Sequence, residues 1–313
     1  MPPLVAGFIA ILIICSSSVW AQDKYPSRVI RIVTAPPGSN HDWGARFTAN
    51  ELNQRLPQRV IVENRGSIAI EYVAKEAAPD GYTVLFYGAV VWLQPVLAKT
   101  NWDPLADFAP VTLAVTSPNL LVTHPSLPVR SVKDLIALAR SRPGQLNYGA
   151  GGAGSTPHIA AELFKHMARV NIVRVNYKGS GPAQIGLLTG EVQVMFAGLG
   201  PIMPHVKANK VKALAVTTPK RSKLAPELPA IAETVPGYES QAAIGFFVPR
   251  KTPPAIVSYL SREIVQALKA SDHEKVAAAG IEVVASSPEE FTAFMKADMA
   301  RMAEVTRSAS FAN

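Results

Sequence analysis

The residues best placed to do chemistry lie in Asn147-Tyr-Gly-Ala-Gly-Gly-Ala-Gly-Ser-Thr-Pro-His158, where four glycines fall within 149–154. Glycine lets the main chain come close to a guest. The segment sits between a strand-like run and a helix-like run whose apolar stripe is Ala160, Leu163, Phe164 and Met167. Ser155 or Thr156 can cap that helix, with Pro157 in its first turn. The first N–H groups of a helix find no acceptor inside it, and the helix start carries roughly +0.5 charge. Gly152, Ala153, Gly154, Ser155, Thr156 and His158 are therefore a candidate seat for a carboxylate or phosphate that needs no arginine. The plain alternative is a glycine-rich turn that only joins strand to helix.

A second stretch has the same logic. Thr34-Ala-Pro-Pro-Gly-Ser-Asn-His-Asp42 follows an apolar run and precedes a helix expected over 43–56. Gly38, Ser39 and Asn40 offer main-chain and side-chain donors, and His41 or Trp43 can touch a ligand. Asp42 is awkward beside an anion. It can cap the helix, or accept from a ligand hydroxyl, an ammonium or water, and an ordinary strand-to-helix turn is the plain alternative.

Other chemistries fit less well. Gly149-x-Gly151-x-x-Gly154 formally matches a dinucleotide fingerprint, but the acid needed about 20 residues on for the ribose is absent: the chain reads Arg174-Val-Asn-Tyr-Lys178 there. His158, Glu162 and His166 share a helix face, but the two histidines are two turns apart, too far for one ion. Ser155 is not in a G-x-S-x-G elbow and has no evident base. We expect no catalytic residue, no metal and no cofactor, and hence not an enzyme.

Elements that would position these loops are legible. Strands are expected over 29–34, 59–63, 83–88, 111–115, 120–123, 146–150, 172–176, 192–196, 211–217 and 244–248. Ser131-x-x-Asp134 opens a helix with Val132, Leu135, Ile136 and Ala139 inward. Ser287-Pro-Glu-Glu290 opens another with Phe291, Met295, Met299 and Met302 on one stripe, and Thr252-Pro-Pro254 a third with Val257, Leu260, Ile264 and Leu268 inward. Short strands alternating with helices define an α/β sandwich. Two strands run into turn-rich stretches near 121–125 and 216–219, where the chain would leave one domain and return to it. The expected division is domain 1 over 22–123 plus 218–313, and domain 2 over 124–217.

The 313 residues carry 31 Lys+Arg against 23 Asp+Glu, a net +8, and are 48% hydrophobic with one cysteine. That composition excludes a disordered chain, a disulfide framework and a cysteine metal cluster. Residues 1–21 are uncharged, contain an apolar run over 4–14 and end Val19-Trp20-Ala21. This reads as a secretory signal peptide cleaved before Gln22, too short for a permanent membrane helix. A lipid anchor on Cys15 is the alternative, with the bulky Ile14 against it. Export argues against nucleic acid as the partner of the positive charge, whose densest group is Lys220-Arg-Ser-Lys223; a solvated basic surface is the simpler reading.

Val62-Glu-Asn-Arg65, Ala78-Pro-Asp-Gly-Tyr-Thr83, Asp107-Phe-Ala-Pro-Val111, Leu146-Asn-Tyr148 with the glycine-rich loop, Ala161-Glu-Leu-Phe164, Val175-Asn-Tyr-Lys-Gly179 and Lys212-Ala-Leu-Ala-Val216 occur in one order. In that order they resemble the Bug-type solute receptors, the extracytoplasmic substrate-binding proteins of tripartite tricarboxylate transporters. The resemblance runs from about Tyr25 to Met302. It implies a two-domain periplasmic-binding-protein type II fold, crossing strands between the lobes, and a carboxylate held in the cleft by main-chain amides and waters of two facing loops. Those loops fall on 37–42 and 152–158. It further implies a monomer in the periplasm that hands a small carboxylate to membrane permease subunits. A ligand-sensing partner of a membrane signalling protein, or an exported enzyme acting on carboxylates, are the rival roles. Three departures from the family pattern bear on the pocket. Ser39 stands for a glycine with His41 before Asp42, the stretch after Arg65 is about four residues short, and Ala197 and Ala243 replace an expected Asp and Trp.

Overall fold

A computed structural model describes residues 25–37, 40–151, 155–278 and 280–308. The expected signal peptide lies outside them. The strands are β1 (Ile30–Thr34), β2 (Val60–Asn64), β3 (Thr83–Gly88), β4 (Phe108–Thr123), β5 (Asn147–Ala150), β6 (Val173–Asn176), β7 (Val194–Gly198), β8 (Lys212–Val216), β9 (Gln241–Pro249) and β10 (Glu282–Val283). The helices are α1 (Asn40–Asn53), α2 (Ala69–Lys75), α3 (Val90–Leu97), α4 (Val132–Ser141), α5 (Thr156–Ala168), α6 (Ser180–Thr189), α7 (Leu199–Lys207), α8 (Pro254–Ala270), α9 (His273–Ala278) and α10 (Pro288–Ser308).

The strands form two sheets with one shared strand. In the first, β2, β1 and β3 run parallel, β9 is antiparallel to β3, and β4 is antiparallel to β9, in the order β2-β1-β3-β9-β4. In the second, β6, β5 and β7 run parallel and β4 is antiparallel to β7, with β8 on its other side. The two sheets thus repeat one plan. Strand β4 serves both: Pro118 is its last partner of β9, opposite Gln241, and Asn119 its first partner of β7, opposite Gly198.

That strand corrects one expectation. Two strands, 111–115 and 120–123, were expected, yet the chain runs extended from 108 to 123, through Pro110 and Pro118. Pro118 stands where the strand changes sheets, and Pro110 next to a register shift, so neither missing N–H breaks a regular ladder. Helix α3, with Pro95 inside it, was not foreseen.

The capping signals hold. Ser131 Oγ accepts from the Asp134 N–H at 3.1 Å. Ser287 Oγ accepts from the Glu290 N–H at 3.1 Å while Glu290 Oε2 accepts from the Ser287 N–H at 2.8 Å, a reciprocal box. Each sheet is covered on both faces. In the first, α1 and α8 bury Ala45, Ala49, Leu260 and Ile264 on one side, and α2, α3 and α10 bury Ile70, Trp92, Phe291 and Met295 on the other. In the second, Leu135 of α4 and Phe164 of α5 face one side, and Leu187 of α6 and Ile202 of α7 the other. Ile231, Val235 and Tyr238, between β8 and β9, pack into the α4–α5 layer. No helix among the described residues is long and apolar enough to cross a membrane.

Candidate functional site

Parallel strands that each feed a helix must deliver those helix starts to one edge of the sheet, and here two such edges face each other. Five helix starts border the space between them. A cavity of about 570 Å3 is lined by Trp43 and Gly44 of α1, Thr156 and Pro157 of α5, Ser180 of α6, and Gly198, Gly200 and Pro201 at α7. A neighbouring cavity of about 350 Å3 is lined by His41 of α1, Ala89 and Val90 at α3, Ser155 and Thr156 at α5, and again Ser180. The two share Thr156, Pro157, Ser180, Ala242 and Ile244. The starts of α3, α5, α6 and α7 have no side-chain cap, so their first N–H groups are left for other acceptors.

Both loops are tied down from behind. Asn64, in the Val62–Arg65 motif, donates through Nδ2 to the Ala35 carbonyl at 2.7 Å and to Asp42 Oδ1 at 2.8 Å, bridging the two ends of the first loop. Asp42 also accepts from Arg46 Nε at 2.9 Å. This is how the chain uses Asp42: a buried first-turn acid that favours the start of α1 and is absent from both cavity linings. On the other side Arg174 donates to the Gly151 carbonyl at 2.9 Å, and the Tyr177 N–H to the Ala150 carbonyl at 2.9 Å.

The sequence candidates therefore divide. His41, Ser155 and Thr156 meet at one cavity. Asn40 begins α1. His158 is 5% exposed, lies within 3.2 Å of Arg174, and is absent from both linings. Gly38, Ser39, Gly152, Ala153 and Gly154 lie outside the described residues. Sequence reasoning missed Asn119, Ser180, the start of α3 and the start of α7. Gly179-Ser-Gly-Pro182 is itself a helix-start signal and could have marked Ser180.

His41 stacks obliquely on Tyr87, ring centroids 5.0 Å apart, and burial pushes its imidazole down to about 4, so it is neutral near pH 7. Burial and the neighbouring Arg174 guanidinium likewise hold His158 down to about 4. Gly88 makes room for His41: a Cβ there would stand 2.8 Å from His41 Nε2. Nε2 of His41 and Oγ of Ser155 are buried without a hydrogen-bond partner among the described residues. At the far end of the smaller cavity Arg301 pairs with Glu239 at 2.7 Å and faces Asp298 at 3.7 Å. Asp298 accepts from Trp92 Nε1 at 2.8 Å, and burial raises its carboxyl pKa despite that bond and Arg301.

This two-lobed α/β fold with helix starts facing a cleft is that of the type II solute-binding proteins of the periplasm. Residues 45–310 match the model of the tripartite tricarboxylate transporter family receptor, and the chain belongs to that family. It is 34% identical over 299 residues to protein BugT of Bordetella pertussis, covering 92% of this chain and 91% of that one. Among solved structures, one from R. palustris with adipate is 37% identical with a TM-score of 0.76, covering 90% of this chain and 97% of the other. MatC of Rhodopseudomonas palustris with bound malate is 27% identical with a TM-score of 0.72, covering 90% and 99%. Two further similar structures are described as the periplasmic binding protein BugD and a TctC solute binding protein from Polaromonas.

Proposed function

We propose that this chain is an extracytoplasmic receptor that captures a small organic carboxylate between its lobes and delivers it, as a monomer, to permease subunits of a tripartite tricarboxylate-type transporter. The observation that carries the reading is the common cavity at the starts of α1 and α5, where His41 Nε2 and Ser155 Oγ are buried without hydrogen-bond partners among the described residues. The proposed contacts are Gly38 to Asp42 from the first loop and Gly152 to Thr156 with His158 from the second. Asp42 and His158 act as positioning residues within that set, given their bonds to Asn64 and near Arg174. The adipate and malate bound by the two relatives support a carboxylate.

The energetics are sufficient. Micromolar binding needs about −8 kcal/mol, and hydrogen bonds to a charged group supply roughly 1.5–3 kcal/mol each. Domain 1 is proposed as 22–123 with 218–313 and domain 2 as 124–217. The packing of Ile231, Val235 and Tyr238 against α4 and α5 favours a return point nearer Ser240. Cleavage after Ala21 would release the receptor into the periplasm.

A thermal-shift screen of mono-, di- and tricarboxylates tests the reading. A true ligand at 100 times its Kd stabilises by about 2.7 kcal/mol, a shift of several degrees for a chain of this size. No shift with any aliphatic or aromatic acid would defeat it.

A further inference from the structure

The larger cavity differs chemically from its neighbour. Its described lining holds no Asp, Glu, Lys, Arg or His. One wall is hydrocarbon: Phe86, Leu268, Val276, Ile281 and Val283. Beside Ile281, Gly280, at φ +74°, packs so closely on α7 that a Cβ would stand 2.5 Å from the Gly200 nitrogen. A second carboxylate lodged against that wall would lose its water and meet only hydrocarbon, at a cost of several kcal/mol. Trp43, also in the lining, lies almost parallel to Phe47 at 5.2 Å and presents a flat apolar edge.

An independent observation comes from the strand crossing. Asn119 is 3% exposed, lines this cavity, and its Nδ2 has no partner among the described residues. Its main-chain N–H and carbonyl are both taken by Thr217, at 2.9 and 3.0 Å. A buried amide hydrogen without an acceptor costs about 1–3 kcal/mol, which a ligand oxygen would relieve.

We infer that the larger cavity takes an organic acid with a single carboxylate on a mainly hydrocarbon body, and that Asn119 is a specificity residue donating to an oxygen of that acid. This deepens the carboxylate-receptor reading and rests on it.

Isothermal titration of the full chain against matched pairs tests it: hexanoate against adipate, benzoate against terephthalate, with citrate as the tricarboxylate. The monoacid of at least one pair is expected to bind about tenfold or more tighter than its diacid, with citrate weakest. Asn119→Leu should weaken the preferred monoacid about fivefold or more without lowering Tm. Where that variant fails to fold, Asn119→Ala, which removes the amide donors without adding a charge, carries the same comparison. Diacids binding as well as or better than the monoacids in both pairs, or citrate binding best, would overturn the inference and leave the receptor reading standing. Unchanged monoacid binding in the variant would overturn the role of Asn119. Binding of no acid at all would defeat the receptor reading itself.

Discussion

Two serines at equivalent positions do different things. Ser131 caps α4 with its hydroxyl, whereas Ser155, in extended backbone at φ −64° and ψ 150° before α5, makes no cap bond and holds its Oγ buried at the cavity. Ser131→Ala should cost about 1 kcal/mol of stability and leave ligand affinity unchanged. Ser155→Ala should change stability by less than about 0.5 kcal/mol and weaken carboxylate binding about tenfold. Chemical denaturation and calorimetry on both variants check the contrast; equal loss of stability in the two would contradict it. His158 makes a pH prediction. Its folded pKa of about 4 lies below the unfolded value, so the folded state binds fewer protons. Its contribution is complete above pH 6.5 and is lost as pH falls toward 4, on the order of 3 kcal/mol for this buried ring. Asp298, raised by burial, acts in the opposite sense and loses stability as pH rises through its folded value. Denaturation midpoints between pH 4 and 7 should fall with acid, and His158→Gln should flatten that slope.

At the scale of the element, what the sequence announces depends on whether the signal is local. Caps, stripes and turns are local: Ser131 and Ser287, the Phe291–Met302 stripe and the Leu260–Leu268 stripe all read correctly because the residues that make each element are neighbours along the chain. The helix starts that follow the two candidate loops were legible for the same reason, since glycine followed by a short polar residue marks such a start. The long β4 was not, because Pro118 reads as a break until β9 and β7 are seen to take its two halves. Asn119 was equally hidden, its importance arising from Thr217, 98 residues away. The depth of His41 in α1 was hidden too, for it depends on Gly88 at the end of β3. Gly88→Ala should force the His41 ring aside. The expected cost is about 1–3 kcal/mol, with a parallel loss of carboxylate affinity; a thermal melt and a titration on the same sample would show both.

For the whole molecule, the sheets meet only through a few strands, and the crossing is pinned by side-chain chemistry. Thr217 Oγ1 accepts from the Asn119 N–H at 2.9 Å and donates to the Asn119 carbonyl at 3.1 Å, while its own carbonyl accepts from the Ser240 N–H at 2.9 Å. Thr217→Val keeps the shape and removes two of these bonds, leaving a buried N–H unmatched. It should lower stability by about 1–3 kcal/mol, read as a lower midpoint in denaturant. Lobes joined by so narrow a connection can close on a guest by hinge motion, which concentrates the whole account on where that guest lies. The most direct measurement is a crystal structure grown with an acid that shifts the melting temperature. Carboxylate oxygens should lie within about 3 Å of the first-turn N–H groups of α1 and α5, in reach of Ser155 Oγ. An acid bound elsewhere, with the starts of those two helices left to solvent, would contradict it.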